Sequence, residues 1–488
     1  MSPQTQPQAA RQPAVAPPGT QGALLLERQR TAFIAEGAVT ARVRIERLGR
    51  ALDLLVTHQQ RLCDALQEDY GKRPPGVTLL MDIYPAVQAL RHARRHLRRW
   101  MRPHRVSTGV PLAAPGSSSE IRFQPLGVVG IISPWNFPVA LSFGPLAAAL
   151  AAGNRCLLKP SEVTAATTQL MQELISRYFD PSEVAAVAGG PEVAEAFSRL
   201  PFDHLMFTGS TEIGRRVMAA AAQHLVPLTL ELGGKCPVII GRSANLDRAV
   251  DRILLGKLAN AGQVCLAPDH VFVPREMIEP MVQAARSWVQ RAYPAWATNP
   301  DYTSLISTRH AARTRELLAD AIARGGRAVA LGGEQQPTAD ERRFAPTLVL
   351  DPADGMRIMQ EEIFAPILPI VAYDRLEEPL ARIGAGPRPL ALYYFGTERR
   401  ELDQIFDRTV SGGVTVNDVA AHFMVQNLPF GGVGASGMGA YHGEQGFRQL
   451  SHARAVYRQT RLDLSGLIGL RPPYGGRLRR FLGLLVRK

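Results

Sequence analysis

From residue 126 onward the chain alternates short apolar runs with amphipathic stretches, and this pattern leaves few folds open. Runs at 126–132, 155–159, 184–188, 204–207 and 228–232 are separated by segments whose apolar residues recur at helical spacing. Strands joined only through helices lie parallel, because a parallel pair needs a long crossover, and the crossovers cover both faces of the sheet. The expected fold is therefore α/β, with a doubly wound parallel sheet that receives ligands at the carboxyl ends of its strands. A second alternation, with runs at 271–273, 347–350, 368–371, 391–395 and 414–417, predicts a second α/β domain. Residues 23–103 differ. Helix-period apolar positions such as Leu48, Leu52 and Leu55, closed by an Arg-rich stretch at 92–102, predict a helical lead-in.

The expected organisation is a flexible tail over 1–22, a nucleotide-binding domain with its lead-in over 23–231, and a catalytic domain over 232–417. Residues 418–465 then return to the first domain, and 466–488 form a basic, apolar tail. The polar extended segments 117–123 and 453–460 predict a small β element suited to oligomerisation. A chain of 488 residues, 46% hydrophobic, is long enough for two or three cores. The net charge of +13 raises nucleic acid as a partner, but acidic residues are spread among the arginines and few basic runs form an obvious patch, so none is expected. Four cysteines without zinc spacing predict no metal site and a reducing compartment, the cytoplasm. Pro134, Pro138 and Pro145 interrupt the uncharged stretch 129–154, which therefore reads as a buried strand and helix and not as a membrane span.

Two segments announce chemistry. Leu-Glu-Leu-Gly-Gly-Lys at 230–235 carries Glu231 and Gly-Gln-Val-Cys at 262–265 carries Cys265, a carboxylate that can activate water and a thiol that can attack a carbonyl. Since Glu231 closes the first alternation and Cys265 opens the second, the pair is expected in an interdomain cleft. Pro-Trp-Asn-Phe-Pro at 134–138 offers Asn136 as an oxyanion donor or, alternatively, as a turn-capping residue. Lys159-Pro160-Ser161-Glu162 stands where a ribose would lie, and equally reads as a helix start. Phe207-Thr208-Gly209-Ser210-Thr211-Glu212-Ile213-Gly214 joins a strand to a helix N-terminus that attracts phosphate. Glu361-Glu362-Ile363-Phe364 offers a carboxylate and a ring to a nicotinamide ribose, while Asn417, His422 and the glycine-rich run 429–434 are candidates to line the cleft. Cys63 and Cys156 read as buried and inert.

In this order the motifs resemble those of the aldehyde dehydrogenase superfamily, and the resemblance covers about residues 23–465. It implies Cys265 as nucleophile, Glu231 as general base and Asn136 in the oxyanion hole. Trp135, Lys159, Glu162, Gly209, Ser210, Thr211, Gly214, Leu232, Glu362 and Phe364 match its cofactor contacts. NAD is implied, with NADP as the second candidate. The segments 413–419 and 436–443 are similar to the class 3 branch, whose members resemble homodimers. Within that branch 91–103 and 202–221 are similar to bacterial enzymes of coniferyl aldehyde. The implied reaction is oxidation of an aromatic aldehyde to a free acid through a cysteine thioester, with a medium- or long-chain fatty aldehyde as the alternative substrate. A non-catalytic nucleotide-binding protein is the rival from another class. Cys236 departs from the usual Ser or Asn, and His270 from a common Tyr. The tail after 466 mixes arginines with leucines, which suits a cover for the cleft or an anionic membrane surface.

Overall fold

Every apolar run of both alternations is a strand in the computed structural model, which describes residues 19–109, 112–113, 116–333, 340–461, 466 and 469–486. The tail expected over 1–22 lies outside these residues as far as residue 18. In chain order the strands among the described residues are β1 (His104–Val106), β2 (Ser118–Pro125), β3 (Val128–Ile132), β4 (Arg155–Lys159), β5 (Val184–Ala186), β6 (His204–Gly209), β7 (Leu228–Leu232) and β8 (Pro237–Ile240). They continue as β9 (His270–Pro274), β10 (Arg327–Ala330), β11 (Thr347–Leu350), β12 (Ile367–Tyr373), β13 (Ala391–Phe395), β14 (Gly413–Val416), β15 (Gly437–Met438) and β16 (Ser451–Arg458).

The first sheet has the order β15-β7-β6-β3-β4-β5, parallel except for β15. The chain winds outward from β3 through β4 to β5, then restarts beside β3 with β6. That reversal opens a crevice at the carboxyl ends of β3 and β6. Val-Val-Gly-Ile-Ile of β3 is buried on both faces, as a central parallel strand must be. Gly130 is required there, since a Cβ would stand 2.7 Å from the Phe202 ring. The following helix, Ala140–Ala152, is buried almost all round, which explains its lack of charge. It packs between the sheet and the lead-in helices Ala41–Thr57 and Tyr84–Trp100, where Leu48 and Leu55 are fully buried. One hydrophobic cluster runs from these helices through both sheets.

The second sheet has the order β10-β11-β12-β9-β8-β13-β14, with only the edge strand β10 antiparallel. Two of its strands escaped the sequence reading. β8 begins at a proline that two residues separate from the Gly233-Gly234 pair, and β10 is a half-exposed Arg-Ala-Val-Ala with no apolar run. Asn417 lies beyond β14, turned out at φ 57°. The polar segments pair antiparallel as β2 and β16 and, with β1 added at the other edge of β2, form the third sheet, β1-β2-β16, in which β2 is mostly half-buried and β16 largely exposed. The architecture is thus α/β: a doubly wound sheet, a second α/β unit and a small β element. Among the described residues no helix is long and apolar enough to cross a membrane. The tail contains a helix, Gly476–Leu485, with no buried residue, while Arg487 and Lys488 lie outside the described residues.

Candidate active site

A cleft of about 1260 Å³ follows the carboxyl ends of β3, β4, β6 and β7 and is closed from the other side by the second unit. Asn136, Glu231 and Cys265 all line it, as do Trp135, Lys159, Glu162, Gly209, Ser210, Thr211, Leu232, Glu362 and Phe364. Gly214 stands behind the wall instead. It is buried, and its missing Cβ leaves room for Leu232, whose Cδ2 would be 2.7 Å away.

Cys265 sits between the helix Leu246–Leu258 and β9 on a loop of unusual backbone. Asn260, Ala261 and Gly262 are consecutively left-handed, with φ 48°, 53° and 76°. Such a run costs energy at each non-glycine residue and persists only where its surroundings over-determine it. Gly262 admits nothing larger, because a Cβ would come within 2.5 Å of the Ala365 carbonyl. Gln263 is wholly buried and locks the loop: its Nε2 donates to the carbonyls of Asn260 (2.9 Å) and Ser304 (3.2 Å), and its Oε1 accepts the Ile306 amide at 2.8 Å. Cys265 itself is half-buried. Burial pushes its thiol up to about 12, the Glu362 and Glu231 carboxylates add to this, and the amides of Cys265 and Leu266 oppose it. At neutral pH the group is therefore a thiol that needs a base. Cys63 and Cys156 are fully buried elsewhere, as expected. Cys236 lies behind the loop and donates its S–H to the Cys265 carbonyl at 3.4 Å.

Glu231 is on β7, flanked by β6 and β15. Both of its carboxylate oxygens are buried without a hydrogen-bond partner, and desolvation raises its pKa well above the carboxylate range. The glycine-rich run expected to line the cleft instead supports this strand. A Cβ on Gly437, opposite Glu231, would overlap the Leu230 carbonyl, and one on Gly432 would overlap that of Ser436. His422 shares a 2.7 Å hydrogen bond with the Thr415 hydroxyl, and Asn417 closes its amide on Gly396, so neither lines the cleft. His270 is buried in β9 away from it. Asn136 donates one amide hydrogen to the Gln263 carbonyl at 3.2 Å, which leaves the other for a ligand.

Along the rest of the cleft, Ser210 caps the helix Thr211–Ala222 by accepting the Ile213 amide at 3.4 Å, and the first-turn N–H groups favour an anion. Lys159 is buried, donates to the Pro160 carbonyl at 2.8 Å and reaches Glu162 at 3.5 Å. Trp135 stands edge-on to Phe364, 5.4 Å between ring centroids, and to His310 at 4.9 Å. Glu362, raised to about 7 by burial and then by the Asp269 charge, accepts the Gly234 amide, and the absence of a Cβ on Gly233 makes room for its carboxylate. Lys159, Glu162, Ser210, Trp135, Glu362 and Phe364 thus line one continuous cleft.

His310 and Arg313 were missed in the sequence. Arg313 donates to the carbonyls of Glu362 (2.8 Å) and Ile363 (2.9 Å), and Lys235 donates to those of Ile358 (2.6 Å) and Glu361 (3.0 Å) while pairing with Asp269. Both cations pin the segment that carries Glu362 and Phe364. The signal for His310 was available in Ser307, whose hydroxyl accepts the His310 amide at 3.3 Å and starts a helix aimed at the cleft.

The arrangement agrees with comparison against known proteins. The model of the aldehyde dehydrogenase family matches residues 3–456, so the chain belongs to that family and is an enzyme of that class. The coniferyl aldehyde dehydrogenase of a Pseudomonas species is 46% identical over 463 residues, 94% of this chain and 95% of the relative. The structure of Staphylococcus aureus AldH in a substrate-bound state has a TM-score of 0.89 at 34% identity and covers 95% of this chain and 99% of that one. An indole-3-acetaldehyde dehydrogenase of P. syringae in complex with NAD+ has a TM-score of 0.83 at 25% identity, over 91% of this chain and 90% of that one.

Proposed function

We propose that the protein oxidises an aromatic, coniferyl-like aldehyde to the free carboxylic acid, with NAD as hydride acceptor. The observation that carries this reading is Glu231, a buried carboxylate with two unpartnered oxygens, facing the same cleft as the Cys265 thiol. Glu231 takes the thiol proton, directly or through water, and Cys265 Sγ attacks the carbonyl carbon. The oxyanion receives the free Asn136 amide hydrogen and the Cys265 N–H, of which one good donor lowers the barrier by roughly 3–4 kcal/mol. Bound NAD supplies the acceptor for the hydride that leaves the tetrahedral adduct. Ser210 and the helix start would hold its pyrophosphate, Lys159 and Glu162 its ribose hydroxyls, and Trp135, Glu362 and Phe364 its nicotinamide end. Once Glu231 has passed the thiol proton on to solvent it removes a proton from water, which attacks the thioester carbonyl; the C–S bond breaks, the Cys265 thiolate leaves and the acid is freed.

The substrate assignment is supported by the 46% identical relative, itself named a coniferyl aldehyde dehydrogenase. NADH production across aromatic and aliphatic aldehydes tests it, and analysis of the product with and without coenzyme A tests the hydrolytic step. Faster turnover of long aliphatic aldehydes, or acyl-coenzyme A as product, defeats the corresponding half of the reading. A homodimer is supported by β16, an open edge strand of an exposed sheet; sedimentation of the purified chain checks it. Residence in the cytoplasm is supported by four free cysteines. The helix Gly476–Leu485, with Arg477, Arg479 and Arg480 beside exposed Leu482, Leu484 and Leu485, supports contact with anionic membrane, to be tested by vesicle sedimentation with and without 466–488.

A further inference from the structure

A buried ion pair outside both sheets reaches the loop that carries Asn136. Arg73 is 1% exposed and Asp82 fully buried, and their side chains meet at 3.4 Å. Burying two charges is costly and gives weak net stability, so such a pair calls for another reason to be present. Each member holds one end of the same short segment. Arg73 Nη1 donates to the Asn136 carbonyl at 2.9 Å, while Asp82 Oδ1 accepts the Ala140 amide at 2.6 Å at the start of the helix Ala140–Ala152. The Asn136 carbonyl is also within reach of the Tyr70 hydroxyl (3.2 Å) and of Asn260 Nδ2 (3.4 Å), so its peptide plane is fixed by donors from three directions. The Arg73 guanidinium is further wedged between the rings of Tyr70 and Phe137, at 4.8 and 5.2 Å from their centroids. Asp82 lies in a π-helical turn, Leu79–Ile83, a local distortion of a kind found often at functional sites.

Fixing the backbone of a residue fixes the direction of its Cα–Cβ bond. With the carbonyl clamped and one amide hydrogen spent on Gln263, the remaining Asn136 hydrogen has a single direction in which to point. We infer that Arg73 and Asp82 are positioning residues for the oxyanion: they hold residues 136–140 so that the Asn136 amide meets the charge that develops on the substrate oxygen. The inference rests on the role given to Asn136 above. It assigns a catalytic consequence to the helical lead-in, none of whose residues lines the cleft. Asp82 accepts the Ala140 amide at the positive end of the helix dipole and stands against the Arg73 guanidinium, so the two side chains hold both ends of the segment together.

A double-mutant cycle tests it. Asn136→Ala alone should lower kcat by about 10²- to 10³-fold; turnover close to wild type removes the role of Asn136 and the inference with it. Arg73→Met in the wild-type background should lower kcat by about 10- to 100-fold, the cost of a small misplacement, while NAD affinity measured by fluorescence stays unchanged. In the Asn136→Ala background the same change has nothing left to aim and should cost less than about threefold. Equal losses in both backgrounds would show a general structural role and overturn the positioning role. Arg73→Lys, which can still donate to the Asn136 carbonyl, should recover part of kcat. If Arg73→Met does not fold, Asp82→Asn, which keeps an acceptor for the Ala140 amide, runs the same cycle, with the same two outcomes deciding.

Discussion

The two walls of the cleft are built from different kinds of backbone. On the nucleotide side Lys159, Ser210 and Leu232 stand at the ends of regular strands or at a helix start, in ordinary conformations. On the facing wall Asn260, Ala261 and Phe364 all have positive φ although none is glycine. A dinucleotide is long and has repeated handles, so any doubly wound sheet with a reversal in strand order can offer it a place. A thiol, its amide and a carbonyl carbon must meet within a few tenths of an ångström, and that side stores roughly 1–2 kcal/mol per left-handed residue to arrange it. Binding follows from topology, whereas reaction requires strain. Substitutions on the two walls should therefore differ in kind.

The largest difference lies between Cys265 and the other thiols. Cys265→Ala should abolish NADH formation from every aldehyde while nucleotide binding, followed by fluorescence, remains. Cys156→Ala in β4, on the nucleotide side, should leave kcat within about twofold and lower stability by about 1 kcal/mol for its small cavity. Measurable turnover in the first variant would displace Cys265 as nucleophile.

Glu231 comes next. Its raised pKa means that it stays protonated above the ordinary carboxylate range, so the fraction able to act as base grows as pH rises through the raised value. Steady-state kcat should climb with pH over that interval and then level. Glu231→Gln should lose about 10²- to 10⁴-fold in kcat and lack the limb altogether. The sign for stability is opposite to that for rate. A group raised in the folded state contributes stability below its unfolded value of 4.5, and that contribution is lost as pH rises through the folded value. Glu231→Gln, which cannot ionise, should therefore melt at a higher temperature than wild type at alkaline pH. A lower Tm there would mean that an unseen cation compensates the charge.

Glycines behind the two walls give a smaller, cleaner contrast. Gly262→Ala meets a backbone carbonyl at 2.5 Å and a positive φ together, while Gly214→Ala meets only the movable end of Leu232 at 2.7 Å. The first should cost about 2–4 kcal/mol in stability and most of the activity, and the second less than about 1 kcal/mol. Denaturant melts of both variants, with kcat for each, check this. Similar losses at the two positions would erase the distinction between the walls.

The same division decides what could be read from the sequence. Strands β3 to β7 were legible because each is an apolar run between helices, and the order of reactive motifs along the chain brought Glu231 and Cys265 to one cleft. The edge strand β10 was not, since an exposed edge needs no apolar run. Asn260 and Ala261 gave no warning of left-handed backbone, because the constraint comes from Gln263, whose side chain ties the loop to Ser304 and Ile306 far along the chain, and from the main-chain carbonyl of the equally remote Ala365. The glycine run at 429–434 was visible, but its use was misread: it lets backbones cross behind β7 and does not line the cleft. Arg73 and Asp82 were invisible as a pair, because nothing in an isolated helical lead-in tells which loop it will clamp.

The smallest expected effect belongs to Glu162, on the wall where geometry is forgiving. Its carboxylate is about one-third exposed, 37%, and its partner Lys159 is buried 3.5 Å away. A carboxylate beside the ribose accepts hydrogen bonds from a 2′-hydroxyl and repels a 2′-phosphate, so NAD should be preferred over NADP. Because the group is partly in water it can turn outward at little cost, and screening weakens the repulsion further. Glu162→Gln removes the charge and keeps an acceptor. The ratio of kcat/KM for NAD over NADP should then narrow by only about two- to fivefold, mainly through a gain with NADP. The KM for aldehyde should not move, since the side chain faces the nucleotide half of the cleft. An unchanged cofactor ratio would shift the discrimination to Arg199 or Arg216, which also line the cleft but are each paired with a glutamate of their own helix.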